Sequence, residues 1–171
     1  MKQNLAITVI VLTMLAASPL HGFGQSGLGD GRETLSRALQ GAWLPLESGL
    51  AASATQGTPL SAKYEIDDGA FQLSVYTWKA DAAAGDSFTE VIVDYNTGSV
   101  AKVEPITDGG DLTAAQAQKA AMARSTRSLA EATAAAVKSN AGYRAVSAMP
   151  GLNGGGPWPR SLLCTATSGK L

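Results

Sequence analysis

The chain of 171 residues carries 13 Lys and Arg against 14 Asp and Glu, for a net charge of −1 and a pI near 5.8. That balance supplies no basic field, so no nucleic acid is expected as a partner. Hydrophobic residues at 45% and aromatics at 6% point to one compact domain, or two small related ones, with a modest core.

Residues 1–24 read as a signal peptide. Lys2 gives a positive start, and residues 5–17 (LAITVIVLTMLAA) form an apolar run too short to span a bilayer comfortably. Pro19 breaks the run, and Gly22 and Gly24 place small residues where a signal peptidase reads. Cleavage is expected between Gly24 and Gln25, with Ala17 as the alternative end. No Cys follows the apolar run to take a lipid. The expectation is a periplasmic or secreted protein without stable membrane insertion after cleavage.

Export sharpens the reading of what is missing. The only His, His21, lies in the segment expected to be removed, and the only Cys is Cys164. Such a mature chain has no internal disulfide, no His-dependent nucleophile and no His-ligated zinc. Gly27-Leu28-Gly29-Asp30-Gly31 and Gly154-Gly155-Gly156 do not join a strand to a helix, as a phosphate loop must. Asp81, Asp86, Asp108 and Asp111 are expected in loops, and their surroundings lack an EF-hand pattern. No catalytic residue, cofactor or metal is therefore expected, and the chain reads as a non-enzyme.

From Gly31 the chain becomes periodic. Leu35, Leu39, Ala42 and Trp43 form one helical stripe, in which Trp43 is expected to be core. Pro45 opens a fresh helix that turns Leu46, Leu50 and Ala54 inward and stops near Gly57-Thr58-Pro59. Leu60, Ala62, Tyr64 and Ile66 then alternate as a strand, and Asp67-Asp68-Gly69 turns the chain. On the return strand Phe71, Leu73 and Val75 share one face, and Gln72, Ser74, Tyr76 and Trp78 the other. Tyr76 and Trp78 are therefore the candidate partner-binding rings, whereas Tyr64 and Tyr95 are expected to pack. Residues 79–87 are expected to form a polar loop.

The next stretch, 90–104 (EVIVDYNTGSVAKVE), reads as a hairpin. Asn96 and Gly98 are expected to supply the positive φ angles of its turn. Val91, Val93 and Tyr95 share one side of the first strand and Ile92 takes the other, so both faces are expected to be covered. These pieces resemble the PepSY domain, over roughly residues 34–106. The resemblance rests on a helix, a Tyr-Glu strand, a D-G turn, a second strand, and a closing strand-Asp-T-G-strand unit. It implies an α+β fold: an antiparallel sheet of about four strands with helices packed on one face. PepSY domains occur in propeptides of secreted metallopeptidases and are thought to inhibit or regulate them. The resemblance thus implies a protein partner, a secreted peptidase or another envelope protein. Without a zinc-binding H-E-x-x-H such a module would act in trans.

Residues 25–106 make up this PepSY-like domain, and 107–156 echo it as an incomplete helix-strand repeat. Residues 112–123 (LTAAQAQKAAMA) are strongly helical, Ser128 and Glu131 set a capping box for a helix over 129–139, and 143–149 read as a strand. A return strand should follow Gly154-Gly155-Gly156. Instead 157–171 is an irregular tail in which Pro157 and Pro159 deny ladder donors. Two readings of this tail stand open: an ordinary disordered tail, or a frameshift that replaced the last strand. Gly-Pro-Trp-Pro-Arg-Ser can be encoded by bases that, read from the third base of the glycine codon, give Pro-Val-Ala-Glu-Val, a good strand. Without that strand, 143–149 is expected to keep an open edge and the second half to be loosely held. Two further readings use the same residues: a small-ligand carrier with Tyr64, Tyr76, Trp78 and Tyr95 around a cleft, and an envelope scaffold or chaperone.

Overall fold

A computed structural model describes residues 5–10, 28–81, 85–152 and 164–165. In chain order the elements are β1 (Leu5–Ile10), α1 (Leu28–Gly41), α2 (Leu46–Ser53), β2 (Thr58–Asp67), β3 (Ala70–Asp81) and β4 (Gly85–Val93). They continue with β5 (Val100–Pro105), α3 (Gly109–Met122), α4 (Leu129–Ser139), β6 (Tyr143–Arg144), β7 (Ser147–Leu152) and β8 (Cys164–Thr165). The fold is α+β: a six-stranded antiparallel sheet in the order β1-β7-β2-β3-β4-β5, packed by helices.

Turn chemistry sets the register of the central strands. Asp67 pairs with Ala70, and the two residues between them, Asp68 (φ 47°) and Gly69 (φ 79°), both take positive φ. That is the twist a two-residue hairpin needs. The β4–β5 turn works differently. Gly98 has φ 76°, but Asn96 is not among the residues with positive φ. The Asp94 carboxylate instead accepts the backbone N–H groups of Asn96 (2.8 Å) and Thr97 (3.0 Å), an Asx-type turn that removes the demand on Asn96.

Alternation along these strands divides the core in two. On one face Tyr64, Leu73, Val75, Val91, Val93 and Ala148 are buried beneath Leu39 of α1, Leu46 and Leu50 of α2, and Leu129 of α4. On the other, Leu60, Tyr76 and Phe88 are buried beneath Ala115 of α3. Helices therefore cover both faces, contrary to the one-faced packing expected from the sequence. The chain leaves β5 at one edge of the sheet and must cross it to reach β7, and α3 makes that crossing over the second face. Its small residues permit a close approach.

Local signals hold in detail for α4. Ser128 Oγ accepts the Glu131 N–H while Glu131 accepts the Ser128 N–H, the capping box read from the sequence. Pro45 is the N-cap of α2, one residue before the position expected, and Ala54 lies exposed at its C-cap instead of facing inward. The expected strand over 143–149 is broken into β6 and β7. β7 does not keep an open edge, because β1 lies along it from Leu5↔Leu152 to Ile10↔Ser147. The expected Gly24-Gln25 cleavage position, His21 and Gly154-Gly155-Gly156 lie outside the described residues. So does the 157–171 tail, apart from Cys164–Thr165, which pair with β6.

Candidate functional site

The second sheet face splits along β3 into a polar end and an apolar end. At the polar end Ser74 donates to Glu90, and Lys63 pairs with Glu65. Burial raises the Glu90 carboxyl above the usual carboxylate range; the Ser74 hydroxyl opposes the shift and nearby Glu65 adds to it. Ile92, on this face, is only half-buried, so the covering expected on both sides of its strand is complete on one side alone.

The apolar end holds both rings expected to meet a partner. Tyr76 is only 8% exposed, packed with Leu60, Phe88 and Ala115. Its hydroxyl donates to Asp111 Oδ1 at 2.8 Å. Burial, then this hydrogen bond, raises its pKa well above the ordinary tyrosine value. Tyr76 is thus a core residue beneath α3, a correction to the reading of an open ring. Trp78 is half-buried, and its Nε1–H donates to Asp86 Oδ1 at 2.8 Å. The Lys119 ammonium lies 4.3 Å from the Trp78 ring centroid and pairs with Asp86. Lys119, then Trp78, holds the Asp86 carboxyl below its usual range. The face of Trp78 is occupied by the chain's own cation, which clamps α3 to the β3–β4 hairpin.

Beside this clamp an open groove of about 780 Å³ runs between α3 and the ends of β4 and β5. Phe88, Ile106, Leu112 and Ala120 contribute apolar lining, and Asp86 and Lys119 stand at its wall. An apolar bed with a single ion pair suits an amphipathic body.

Among the described residues a different aromatic is the most exposed. Trp43 is 86% exposed, in the break between α1 and α2. Its backbone is nonetheless held firmly. Arg144 Nη1 donates to the Ala42 carbonyl and, at 3.5 Å, to that of Leu39, and Nη2 reaches the Leu44 carbonyl at 3.4 Å. Tyr64 Oη donates to the same Leu44 oxygen at 2.6 Å. A cation so placed satisfies the carbonyl end of α1 and favours its dipole. Burial pushes the Tyr64 hydroxyl up to about 12, with Arg144 opposing the shift. The sequence reading put Trp43 in the core. Gly41 and Pro45 on either side were the signal that the helical stripe ends before it.

Tyr64 and Tyr95 pack as expected: Tyr64 stacks on Phe71 at 5.5 Å, and Phe71 meets Tyr95 edge-on at 4.8 Å. Among the described residues no group of three or more His, Cys, Asp and Glu side chains is placed to hold a metal ion. Among them, too, no helix is long and apolar enough to cross a membrane. Comparison with protein-family models, with curated proteins and with solved structures found no match.

Proposed function

We propose that this chain is an exported, non-catalytic binding module of PepSY type that contacts a protein partner through the Trp43 corner. The observation that carries this reading is a large aromatic ring held out in solvent on a backbone locked by Arg144 and Tyr64. A backbone already held in place loses little further freedom on binding, and Trp is enriched among the residues that dominate interface energies. The resemblance over residues 34–106 supports a peptidase of the cell envelope as partner, regulated in trans. The apolar run of residues 5–17 supports export to the periplasm or medium.

A panel of purified secreted metallopeptidases tests the reading. Inhibition by the wild-type chain, weakened at least about tenfold by Trp43→Ala, is the expected result. Unchanged activity across the panel counts against regulation, and an equally potent Trp43→Ala counts against the corner. The groove beside α3 supports a second reading, carriage of a small amphipathic ligand. Native mass spectrometry separates the two, since a co-purifying small molecule displaced by Ala120→Trp would favour the carrier.

A further inference from the structure

The outer edge of β7 is a seat for a strand, and its polarity can be read from one hydrogen bond. The Tyr64 N–H donates to the Val146 carbonyl at 2.9 Å, so the backbone groups of Val146 face β2. Backbone direction alternates along an extended chain. Ala148 and Pro150 therefore also face β2, in keeping with the Ala62↔Ala148 pair, while Ser147, Met149 and Gly151 face outward. Pro150 lacks an N–H, but the gap falls on the β2 side, beyond the last β2–β7 pair at Ala62↔Ala148. The outward edge keeps every donor and acceptor.

In this structure that edge is filled from within the chain. Ile10, Thr8 and Ala6 stand opposite Ser147, Met149 and Gly151. α4 lies against both β1 and β7, so a strand in this place is backed by a helix. The occupant, Leu-Ala-Ile-Thr-Val-Ile, belongs to the apolar run that reads as an export signal. One segment thus has two competing uses, and whenever it is engaged in export or removed, the β7 edge is left open.

We propose that the β7 edge is a strand-docking site that takes an extended, apolar, β-branched peptide segment of a partner, antiparallel to Ser147–Leu152, in the place Leu5–Ile10 holds in the full chain. Main-chain pairing would supply affinity, as in other cases of strand addition to an open sheet edge. The site goes beyond the Trp43 reading, and its test reads β7 amides instead of partner activity, so either can fail alone.

Hydrogen exchange on the full chain tests the proposal through two prolines of opposite parity. Thr8→Pro deletes the N–H that faces Met149, whereas the Val9 N–H points away from β7 and Val9→Pro deletes nothing there. Thr8→Pro should speed exchange at the Ser147, Met149 and Gly151 amides by about tenfold or more, and Val9→Pro by less than about twofold. The Val91 and Val93 amides, well inside the sheet, report that the rest of the fold is intact in both variants. A lysine-tagged Leu-Ala-Ile-Thr-Val-Ile peptide added to the Thr8→Pro chain should then restore protection at Met149. No restoration would overturn the site, equal effects of the two prolines would overturn the register, and self-association that excludes the peptide would overturn the occupant.

Discussion

Replacing Arg144 with Met should loosen the corner that presents Trp43 and join two distant parts of the chain less firmly. Arg144 follows α4, yet its guanidinium bonds carbonyls of the α1–α2 break about a hundred residues earlier in the chain. Of its three contacts only the one to Ala42 is short, so a single charge-assisted bond counts fully, worth about 1.5–3 kcal/mol. The guanidinium also stands 5.3 Å from the Tyr64 ring centroid, which adds roughly 0.5–1 kcal/mol. Against this, Arg144 Nε is buried with no protein partner, an offset of about 1 kcal/mol or more. The net loss expected for Arg144→Met is therefore about 2 kcal/mol. Arg144→Lys should lose somewhat less, since an ammonium can keep the Ala42 contact but not the fork. Urea unfolding followed by circular dichroism gives the difference, and a cycle with Tyr64→Phe should show coupling, because both side chains converge on the Leu44 oxygen. A loss under about 0.5 kcal/mol for Arg144→Met, with no coupling to Tyr64, would refute the reasoning.

Two further outcomes are expected. In Gly57→Ala the new Cβ would lie 2.7 Å from the Trp78 carbonyl oxygen and 3.2 Å from Thr77 Oγ1, so β2 or β3 must shift; a cost of about 1–3 kcal/mol should appear as a lowered thermal midpoint, and an unchanged midpoint would show that the site relaxes freely. Glu90 binds its proton more tightly folded than unfolded, so its contribution to stability is full below the ordinary carboxylate range and is lost as pH rises through its folded pKa. Glu90→Gln should therefore gain stability relative to wild type at neutral pH and lose that advantage in acid; an advantage that grows as pH falls would reverse the assignment.

Much of the fold was legible in the residues themselves. Alternation in β2–β4, the Asp68-Gly69 turn and the Ser128–Glu131 capping box are short-range, so neighbours in sequence suffice to specify them. The candidate site was not legible in the same way. Tyr76 and Trp78 do lie opposite Phe71, Leu73 and Val75, as alternation requires, but alternation cannot say what covers a face. That depended on where the β5-to-β7 connection crosses the sheet, and α3 with Asp111 and Lys119 closed over both rings. Trp43 went the other way, from expected core to solvent, because the helical stripe ends at Gly41 and the next side chain follows a different axis. The sequence by itself determined the four helices and the strands β2–β5, their order and the faces of β2–β4, since these follow from local backbone and side-chain preferences. Only the tertiary structure decided which face α3 covers, which aromatic ring is left in solvent, and that Leu5–Ile10 lies along β7, because each depends on contacts between segments far apart in the chain.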